Sequence, residues 1–224
     1  MNAMFGKTMV GLAVLAMTGL AQANATYEGI VDVAGSVSVD GWNELNRNRT
    51  GGALTEEQLI AGTGSNVAGS GDAVFTRLSG SHYPAGFGLY GSNSVFTFTD
   101  STVASNIGSL VFQGIINDFD AQFGAAPFTL TLSLNGGSEA LSATSVSSVL
   151  NGGVSDLHTY TWDLSGVSAP ITSYTLTLSA GFSQVLALQV DQVAAVPEPS
   201  TYAMALGGLA LVGMMARRRR RAVA

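Results

Sequence analysis

The sequence lacks cysteine entirely, and it contains one lysine and two histidines in 224 residues. Because no thiol is present, a disulfide framework, a thiol nucleophile and a cysteine-ligated zinc or iron–sulfur site are excluded. The lysine, Lys7, lies near the N-terminus, so the central region contains no Schiff-base or P-loop lysine. These absences remove several large classes of enzyme before any motif is considered.

Positive charge is scarce and is concentrated at the two ends. The chain has nine Lys+Arg and fifteen Asp+Glu residues, which give a net charge of −6. Residues 26–196 contain three arginines, Arg47, Arg49 and Arg77, against fourteen acidic residues, which give a net charge of −11. Such a body repels phosphate backbones, so we expect no nucleic-acid partner.

Residues 1–25 have the layout of a secretory signal peptide. Lys7 supplies a positive n-region, residues 9–20 form a short apolar h-region, and Ala23 and Ala25 end two overlapping A-x-A cleavage sites. We place cleavage after Ala25, with Ala23 as the alternative. The apolar run is short for a membrane-spanning helix, which disfavours an uncleaved anchor. The sequence therefore predicts an exported body that is stable without disulfides.

The C-terminal end contains three consecutive features. Pro197, Glu198 and Pro199 lie in a segment predicted to be extended, since proline fixes φ and disfavours helix before it. Residues 202–216 are uncharged and mostly apolar, and as a helix they would rise about 22 Å, short of a hydrocarbon core of about 30 Å. An arginine run follows, which consists of Arg217, Arg218, Arg219, Arg220 and Arg221. The apolar run predicts a short transmembrane helix over 202–216. The positive-inside rule then places this stop-transfer run in the cytoplasm and the acidic body outside.

This order of features resembles the PEP-CTERM sorting signal of Gram-negative bacteria, over residues 196–221. The resemblance implies recognition and processing by an exosortase, a membrane transpeptidase-like enzyme, with Pro197, Glu198 and Pro199 as the sorting motif. It also implies transient anchoring in the inner membrane, then delivery to the cell surface or to an extracellular matrix rich in exopolysaccharide. The alternative is a single-pass anchor with a proline-stiffened stalk.

Period-two alternation of apolar and polar residues dominates residues 26–195, which we expect to form one domain. The turn pair Asn135-Gly136 predicts a hairpin of 127–134 with about 138–147. Further strand candidates are 27–33, 73–79, 94–99, 108–116, 157–164 and a second hairpin of 171–178 with 182–192, in which Phe182, Leu186, Leu188 and Val190 share a face. Many short strands between Gly, Ser and Asn turns predict a mainly β fold, an antiparallel β-sandwich of jelly-roll-like type.

Two short segments have helical or turn character instead. Residues 55–58 have the form of a capping box, apolar residues follow, and Gly62 is a stop signal. Residues 40–45 are the candidate for another turn. Neither segment changes the predicted β class.

Asp118 and Asp120 are spaced i, i+2, so both carboxylates project from one face if the chain is extended there. Two such carboxylates can bind calcium, and a pair flanking a sugar can act in glycoside hydrolysis. The simpler interpretation is a turn after the strand that ends near Ile116, because Asn117 and Asp118 are turn-forming residues. We favour the turn, assign no metal site, and keep the two aspartates as candidate calcium ligands.

Tyr160 and Trp162 share one face of a predicted strand and are the candidate glycan contacts. Aromatic rings on a strand face can stack on sugar rings, but they also form sandwich cores. Leu164 continues the same face with an apolar side chain, which favours the core.

Two apparent enzyme motifs are incomplete. Gly86, Gly88 and Gly91 match G-x-G-x-x-G, but a strand-like segment follows where a dinucleotide site needs a helix. His82 and His158 could each serve a hydrolytic serine, yet no G-x-S-x-G motif occurs. We therefore expect no catalytic site and no required cofactor.

Together these features predict a non-enzymatic surface or matrix protein that is exported and then sorted by an exosortase. A second hypothesis is an exopolysaccharide-binding module, assisted by calcium. A third is an extracellular carbohydrate-active enzyme that uses Asp118 or Asp120. The ends of the chain predict its destination, and the body leaves its activity open.

Overall fold

Antiparallel β-structure dominates the described part of the protein. The computed structural model describes residues 30–48, 52–67, 71–119, 129–149, 156–195 and 208–209. Within these ranges the strands form two antiparallel sheets, accompanied by a short helix. The predicted mainly β class is confirmed, and the arrangement is consistent with a β-sandwich.

The two sheets contain seven and six of the described strands. In spatial order, the larger sheet contains β10 (Ser145–Val149), β11 (Leu157–Asp163), β7 (Ile107–Asp118), β13 (Ser183–Ala194), β5 (Leu89–Gly91) and β4 (Tyr83–Pro84), while β1 (Ser36–Trp42) also pairs with β13. The smaller sheet contains, again in spatial order, β2 (Thr63–Gly64), β3 (Val74–Ser79), β6 (Ser94–Asp100), β12 (Tyr174–Ala180), β8 (Thr129–Leu134) and β9 (Leu141–Ser142). Between β1 and β13 the chain passes repeatedly from one sheet to the other.

Aromatic side chains from both sheets meet in one core. The Phe98 ring on β6 lies 5.4 Å from Trp42 on β1 and 5.5 Å from Phe112 on β7, measured between ring centroids. Its stacked neighbour in its own sheet is Phe75, at 4.8 Å. Because Trp42 and Phe112 belong to the larger sheet, these contacts hold the two sheets face to face.

The predicted turn at Asn135-Gly136 is confirmed. Both residues have positive φ, 52° and 68°, which is the conformation that a tight hairpin turn requires. The hairpin is shorter than predicted, because residues 141–142 are the only described part of its predicted second strand that pairs with β8. Residues 145–149 belong to the larger sheet, where they pair with β11.

The predicted hairpin of 171–178 with 182–192 is wrong. Strand β12 pairs with β6 and β8, whereas β13 pairs with β7, β5 and β1. Each strand has one apolar face, and placing the strands in opposite sheets buries both faces against the common core. The short link after Ala180 is therefore a crossing between sheets.

A bulge in β13 also changes which residues share a face. The register with β7 shifts between Val185 and Ala187, and one extra residue reverses the alternation of a strand. Leu188 and Val190 consequently lie in the main core, whereas Leu186 packs in a second cluster with Ile30 and Ile115. The prediction of a single face for Phe182, Leu186, Leu188 and Val190 is wrong for this reason.

The predicted helix is confirmed as α1 (Glu56–Ala61), and its capping box is complete. The Gln58 N–H donates to Thr55 Oγ1 at 3.2 Å, and the Thr55 N–H donates to Gln58 Oε1 at 3.0 Å. Gly62, with φ of 102°, ends the helix. The boundary signals were sufficient here because both hydrogen bonds are local.

Two other local predictions fail. The turn expected over residues 40–45 is replaced up to Trp42 by strand β1, because pairing with β13 buries Asp40 and Trp42. In the candidate strand 27–33, the described residues 30–33 lie outside any strand. Val31 is instead held by its N–H, which donates to the Gln113 side chain at 3.0 Å.

The predicted terminal signals lie almost entirely outside the described residues. This applies to the signal peptide and its cleavage sites at Ala23 and Ala25, to the PEP residues 197–199 and to the arginines 217–221. Of the predicted transmembrane helix only Gly208 and Leu209 are described. In the described ranges, no helix combines the length and the apolar character that membrane crossing requires.

Candidate functional site

The predicted sugar platform of Tyr160 and Trp162 belongs to the core. Trp162 is 1% exposed, and its indole N–H donates to the Leu141 carbonyl at 3.1 Å. Tyr160 stacks on it at 6.3 Å and packs against the same core. Trp162 is therefore out of reach of a sugar in solution, as the core interpretation expects, whereas the Tyr160 ring remains partly exposed.

Of the predicted calcium ligands, only Asp118 is described, and Asp120 lies outside the described residues. Asp118 ends strand β7 and pairs there with Ser183, so it lies in a sheet rather than in the predicted turn. Its negative charge adds to burial in raising the pKa of the Tyr160 hydroxyl. In the described part of the chain, no three His, Asp or Glu side chains are arranged to hold a metal ion.

His82 is buried and connects the two sheets. Its Nδ1 lies 2.7 Å from Ser94 Oγ on β6, and its Nε2 lies 3.0 Å from Ser183 Oγ on β13. Burial lowers the pKa of His82 to about 4, with a smaller contribution in the same direction from the nearby Arg77. At neutral pH the ring is thus an uncharged bridge with no exposed surface, and a role as catalytic base is not supported.

His158 makes a second serine contact. The Ser148 hydroxyl lies 2.8 Å from His158 Nδ1, and the Ile116 carbonyl lies 3.2 Å from Nε2. Since a carbonyl only accepts, Nε2 carries the proton and Nδ1 accepts from the serine. Burial lowers the pKa of His158, partly offset by the hydrogen bond to the Ile116 carbonyl and then by the charges of Asp156 and Asp118. The pair has the polarity of a nucleophile and its base, but here the histidine is oriented by a carbonyl rather than by a carboxylate.

The glycine pattern at residues 86–91 serves packing. Gly91 on β5 pairs with Ser183 on β13, and a Cβ on Gly91 would lie 2.5 Å from the His82 Cα. Such a distance is prohibitive, so glycine permits the close approach of two backbones. A strand, β6, follows this segment, as the sequence indicated.

A cluster of aromatic rings lies on the outer face of the larger sheet, and we call it the aromatic surface. It consists of Tyr83, Tyr90, Phe119 and Phe182. Tyr90 is central, with ring centroids at 6.3 Å from Tyr83, 6.1 Å from Phe119 and 5.4 Å from Phe182. Tyr83 is 46% exposed and the other three rings are partly exposed.

Amide side chains continue the aromatic surface across neighbouring strands. Tyr83 pairs with Tyr90, Tyr90 with Gln184, and Gln184 with Asn117, so the four side chains project from one face. The Asn117 amide donates to Gln184 Oε1 at 3.3 Å. Phe87, which is 81% exposed, lies in the link between β4 and β5. The row thus places flat apolar rings beside the partly exposed Gln184 amide, which the buried Asn117 holds in position.

Sequence reasoning missed this surface for a physical reason. Strands β4 and β5 contain two and three residues, too few to show alternation. Tyr83, Tyr90 and Gln184 become neighbours only through cross-strand pairing. The sequence indicated an aromatic site here only through the closeness of Phe87 to Tyr83 and Tyr90.

Comparison with known proteins identifies the C-terminal end. A family model described as the PEP-CTERM protein-sorting motif matches residues 195–221. This range agrees with the predicted range of 196–221 to within one residue. Searches of curated proteins and of solved structures found no match to the chain. The chain thus carries a PEP-CTERM protein-sorting motif that follows its β-sheet body directly.

Proposed function

We propose that this protein is a non-enzymatic structural or interaction component of the cell surface or extracellular matrix. A signal peptide at residues 1–25 directs its export, and an exosortase processes it at the PEP motif. The motif implies export and sorting toward the surface. The inner membrane holds the precursor through residues 202–216, with the arginines cytoplasmic, until processing releases a jelly-roll-like body.

The observation that carries this proposal is the position of the sorting motif. Strand β13 ends at Ala194, and the motif match begins at residue 195. Processing near Pro197 would therefore separate the folded body from the apolar and basic tail without removing a strand. The absence of cysteine and the burial of both histidines support a role without catalysis.

Alanine substitution of Pro197, Glu198 and Pro199 is expected to abolish processing. The variant should accumulate as an unprocessed form in the inner-membrane fraction, because the exosortase reads this motif. Immunoblotting of cell fractions with a body-specific antibody measures the shift. The matched control changes Ser200 and Thr201 to alanine in the same segment and should leave processing intact. If the PEP variant is processed like the wild type, the proposed role of the motif fails.

A second candidate function is carbohydrate binding on the aromatic surface. Flat rings such as Tyr83 and Tyr90 can stack on the apolar faces of sugars, while the neighbouring Gln184 amide, which is partly exposed, can bond hydroxyl groups. The aromatic surface replaces Tyr160 and Trp162 as the proposed contact. Exopolysaccharide is the ligand class that the implied destination supplies.

Changing both Tyr83 and Phe87 to alanine is expected to weaken exopolysaccharide binding roughly thirtyfold, since each lost ring contact contributes on the order of 1 kcal/mol. Affinity electrophoresis and a glycan array measure this, with and without EDTA. The matched control is the double alanine variant of Val146 and Val149, which are each 56% exposed on β10 at the opposite edge of the sheet. Equal binding by both variants, or no binding by the wild type, would reject this function.

A further inference from the structure

Buried acidic residues converge at one end of the core, between the two sheets. Asp40 on β1 is 0% exposed, and Asp100 on β6 is 4% exposed. Tyr174 on β12 pairs directly with Asp100 and is 2% exposed. The exposed Asp72 lies at the rim, where it accepts a hydrogen bond from Thr102. We call these four side chains the acidic cluster.

The two buried carboxylates differ in how they are satisfied. Asp100 accepts from the Thr102 N–H at 2.6 Å through Oδ1 and from the Gln192 amide at 2.6 Å through Oδ2. Asp40 accepts through Oδ1 alone, from the Ala73 N–H at 3.0 Å and from the Ser65 hydroxyl at 3.3 Å. No described group bonds to Asp40 Oδ2. A fully buried carboxylate oxygen is thus without a partner in the part of the chain that the structure describes.

The Tyr174 hydroxyl is the second poorly satisfied atom. No hydrogen bond of ordinary geometry reaches it among the described residues, although the Gln192 side chain lies close enough to interact with it. Burial raises the pKa of Tyr174 well above its usual value, and the negative charges of Asp40, Asp100 and Asp191 raise it further, against a smaller opposite effect of Gln192. The hydroxyl therefore lies within the electrostatic field of the acidic cluster. The bare Asp40 Oδ2 and a hydroxyl held only weakly lie in one place among the described residues, and such poorly satisfied buried atoms cost free energy.

Nothing positive in the described residues offsets this charge. Burial, followed by the charges of Asp100 and Asp72, raises the pKa of Asp40 to about 6 against hydrogen bonds from Ala73 and Ser65 that lower it. Neither of the two described arginines, Arg47 and Arg77, acts on the pKa of Asp40 or Tyr174, and Arg77 is engaged by Glu56 at 2.5 Å and by the His82 carbonyl. The acidic cluster therefore carries negative charge that no cation among the described residues balances.

We infer that the acidic cluster binds a calcium ion between the carboxylates of Asp40 and Asp100. The donor set contains oxygen only, which suits a hard cation rather than a transition metal. Asp40 Oδ2 would be a direct ligand, and the Tyr174 hydroxyl would bind the ion or a water on it. Hydroxyl, carbonyl and water oxygens would complete the coordination, since no three carboxylates converge within the described ranges. Calcium tolerates such an irregular set, whereas magnesium demands a regular octahedron.

This inference is independent of the sorting motif and of the aromatic surface. It also differs from the calcium site predicted at Asp118 and Asp120, because Asp118 lies at the end of β7 that pairs with Ser183. The bound ion would join β1 of the larger sheet to β6 and β12 of the smaller one. In a chain without cysteine, it would take the place of a covalent cross-link between the sheets.

Thermal unfolding of the purified wild-type protein tests the site. At pH 7.5, calcium added after EDTA treatment to about a hundredfold excess over Kd should raise Tm by roughly 5–10 °C. Magnesium at equal ionic strength should raise it much less. Terbium, used as a luminescent substitute for calcium, should show emission sensitised by Tyr174.

Variants assign the effect to individual residues. Asp40→Asn and Asp100→Asn should each abolish the calcium shift, and Tyr174→Phe should reduce the terbium emission. Glu139→Gln, at an exposed position, is the matched control and should retain both responses. If Asp40→Asn fails to fold, calorimetric titration of the wild type with calcium still tests the site. The inference requires saturable calcium binding that EDTA reverses.

Three results would overturn the inference. The first is a wild-type Tm that does not respond to calcium, since Asp40 would then be protonated or bridged by water. The second is an equal response to calcium and magnesium, which would indicate general screening of the acidic body. The third is a calcium shift that survives in Asp40→Asn, because the ion would then bind elsewhere.

Discussion

Replacing Phe98 with alanine is expected to lower the free energy of unfolding by about 3–5 kcal/mol, which is typical for removal of a buried aromatic ring. Phe98 is 0% exposed and contacts Trp42 and Phe112 in the larger sheet and Phe75 in its own sheet. Its loss opens a cavity at the contact between the sheets. No disulfide is available to limit the damage.

Denaturation of the purified protein by urea, followed by tryptophan fluorescence, measures this loss, since Trp42 lies beside the substituted ring. The control is Leu78→Ala on the neighbouring strand β3, where the side chain is 61% exposed. The control should change the free energy of unfolding by less than about 0.5 kcal/mol. Similar losses in the two variants would contradict a core that depends on aromatic contacts between the sheets.

Asp40→Asn is expected to stabilise the calcium-free protein at neutral pH. The pKa of Asp40 is about 6 in the folded protein, against 3.8 as the ordinary value. Folding therefore favours the protonated form, and the stability that this provides is complete below pH 3.8 and is lost as the pH rises through 6. The amide variant keeps a neutral group at all pH values. Its advantage over the wild type should grow to about 3 kcal/mol between pH 4 and pH 7.5.

His82 acts in the opposite direction over the same range. Its pKa is about 4 in the folded protein, against 6.5 as the ordinary value, so its contribution is complete above pH 6.5 and is lost as the pH falls through 4. The wild type should therefore show a shallow pH dependence, because Asp40 and His82 oppose each other. With Asp40→Asn the opposition from Asp40 is removed, and stability should fall more steeply than in the wild type as the medium is acidified.

Urea denaturation at pH 4, 5, 6 and 7.5 in EDTA measures both effects. The matched control is Glu139→Gln, which removes an exposed carboxyl. Its free energy of unfolding should depend on pH in the same way as that of the wild type. A constant difference between Asp40→Asn and the wild type across the range would contradict the raised pKa of Asp40.

Local patterns predicted the elements whose signals are local. The alternation of residues 157–164 is confirmed as β11, the Asn135-Gly136 turn has the expected backbone, and the Thr55 capping box has both of its hydrogen bonds. Each of these depends on residues a few positions apart. The antiparallel class followed because many short strands separated by turns leave few other architectures.

Features that depend on distant pairing were not predictable from the same patterns. Strands β12 and β13 look like a hairpin in sequence, yet both apolar faces are buried only when the strands lie in opposite sheets. The bulge at Leu186 gives no sequence signal, although it decides which residues enter the core. The acidic cluster joins Asp40, Asp100 and Tyr174, which lie far apart along the chain. The C-terminal motif, in contrast, was predictable because its features are consecutive in the sequence.

The intact mass of the native protein, recovered from cell fractions, tests the central claim most directly. We expect a surface or matrix fraction whose mass lacks residues 1–25 and the tail with arginines 217–221, with a C-terminus near Pro197. The recovered body would then carry a net charge near −11 instead of the −6 of the full chain. A wild-type protein that keeps residues 217–221 and remains in the inner membrane would contradict sorting by an exosortase.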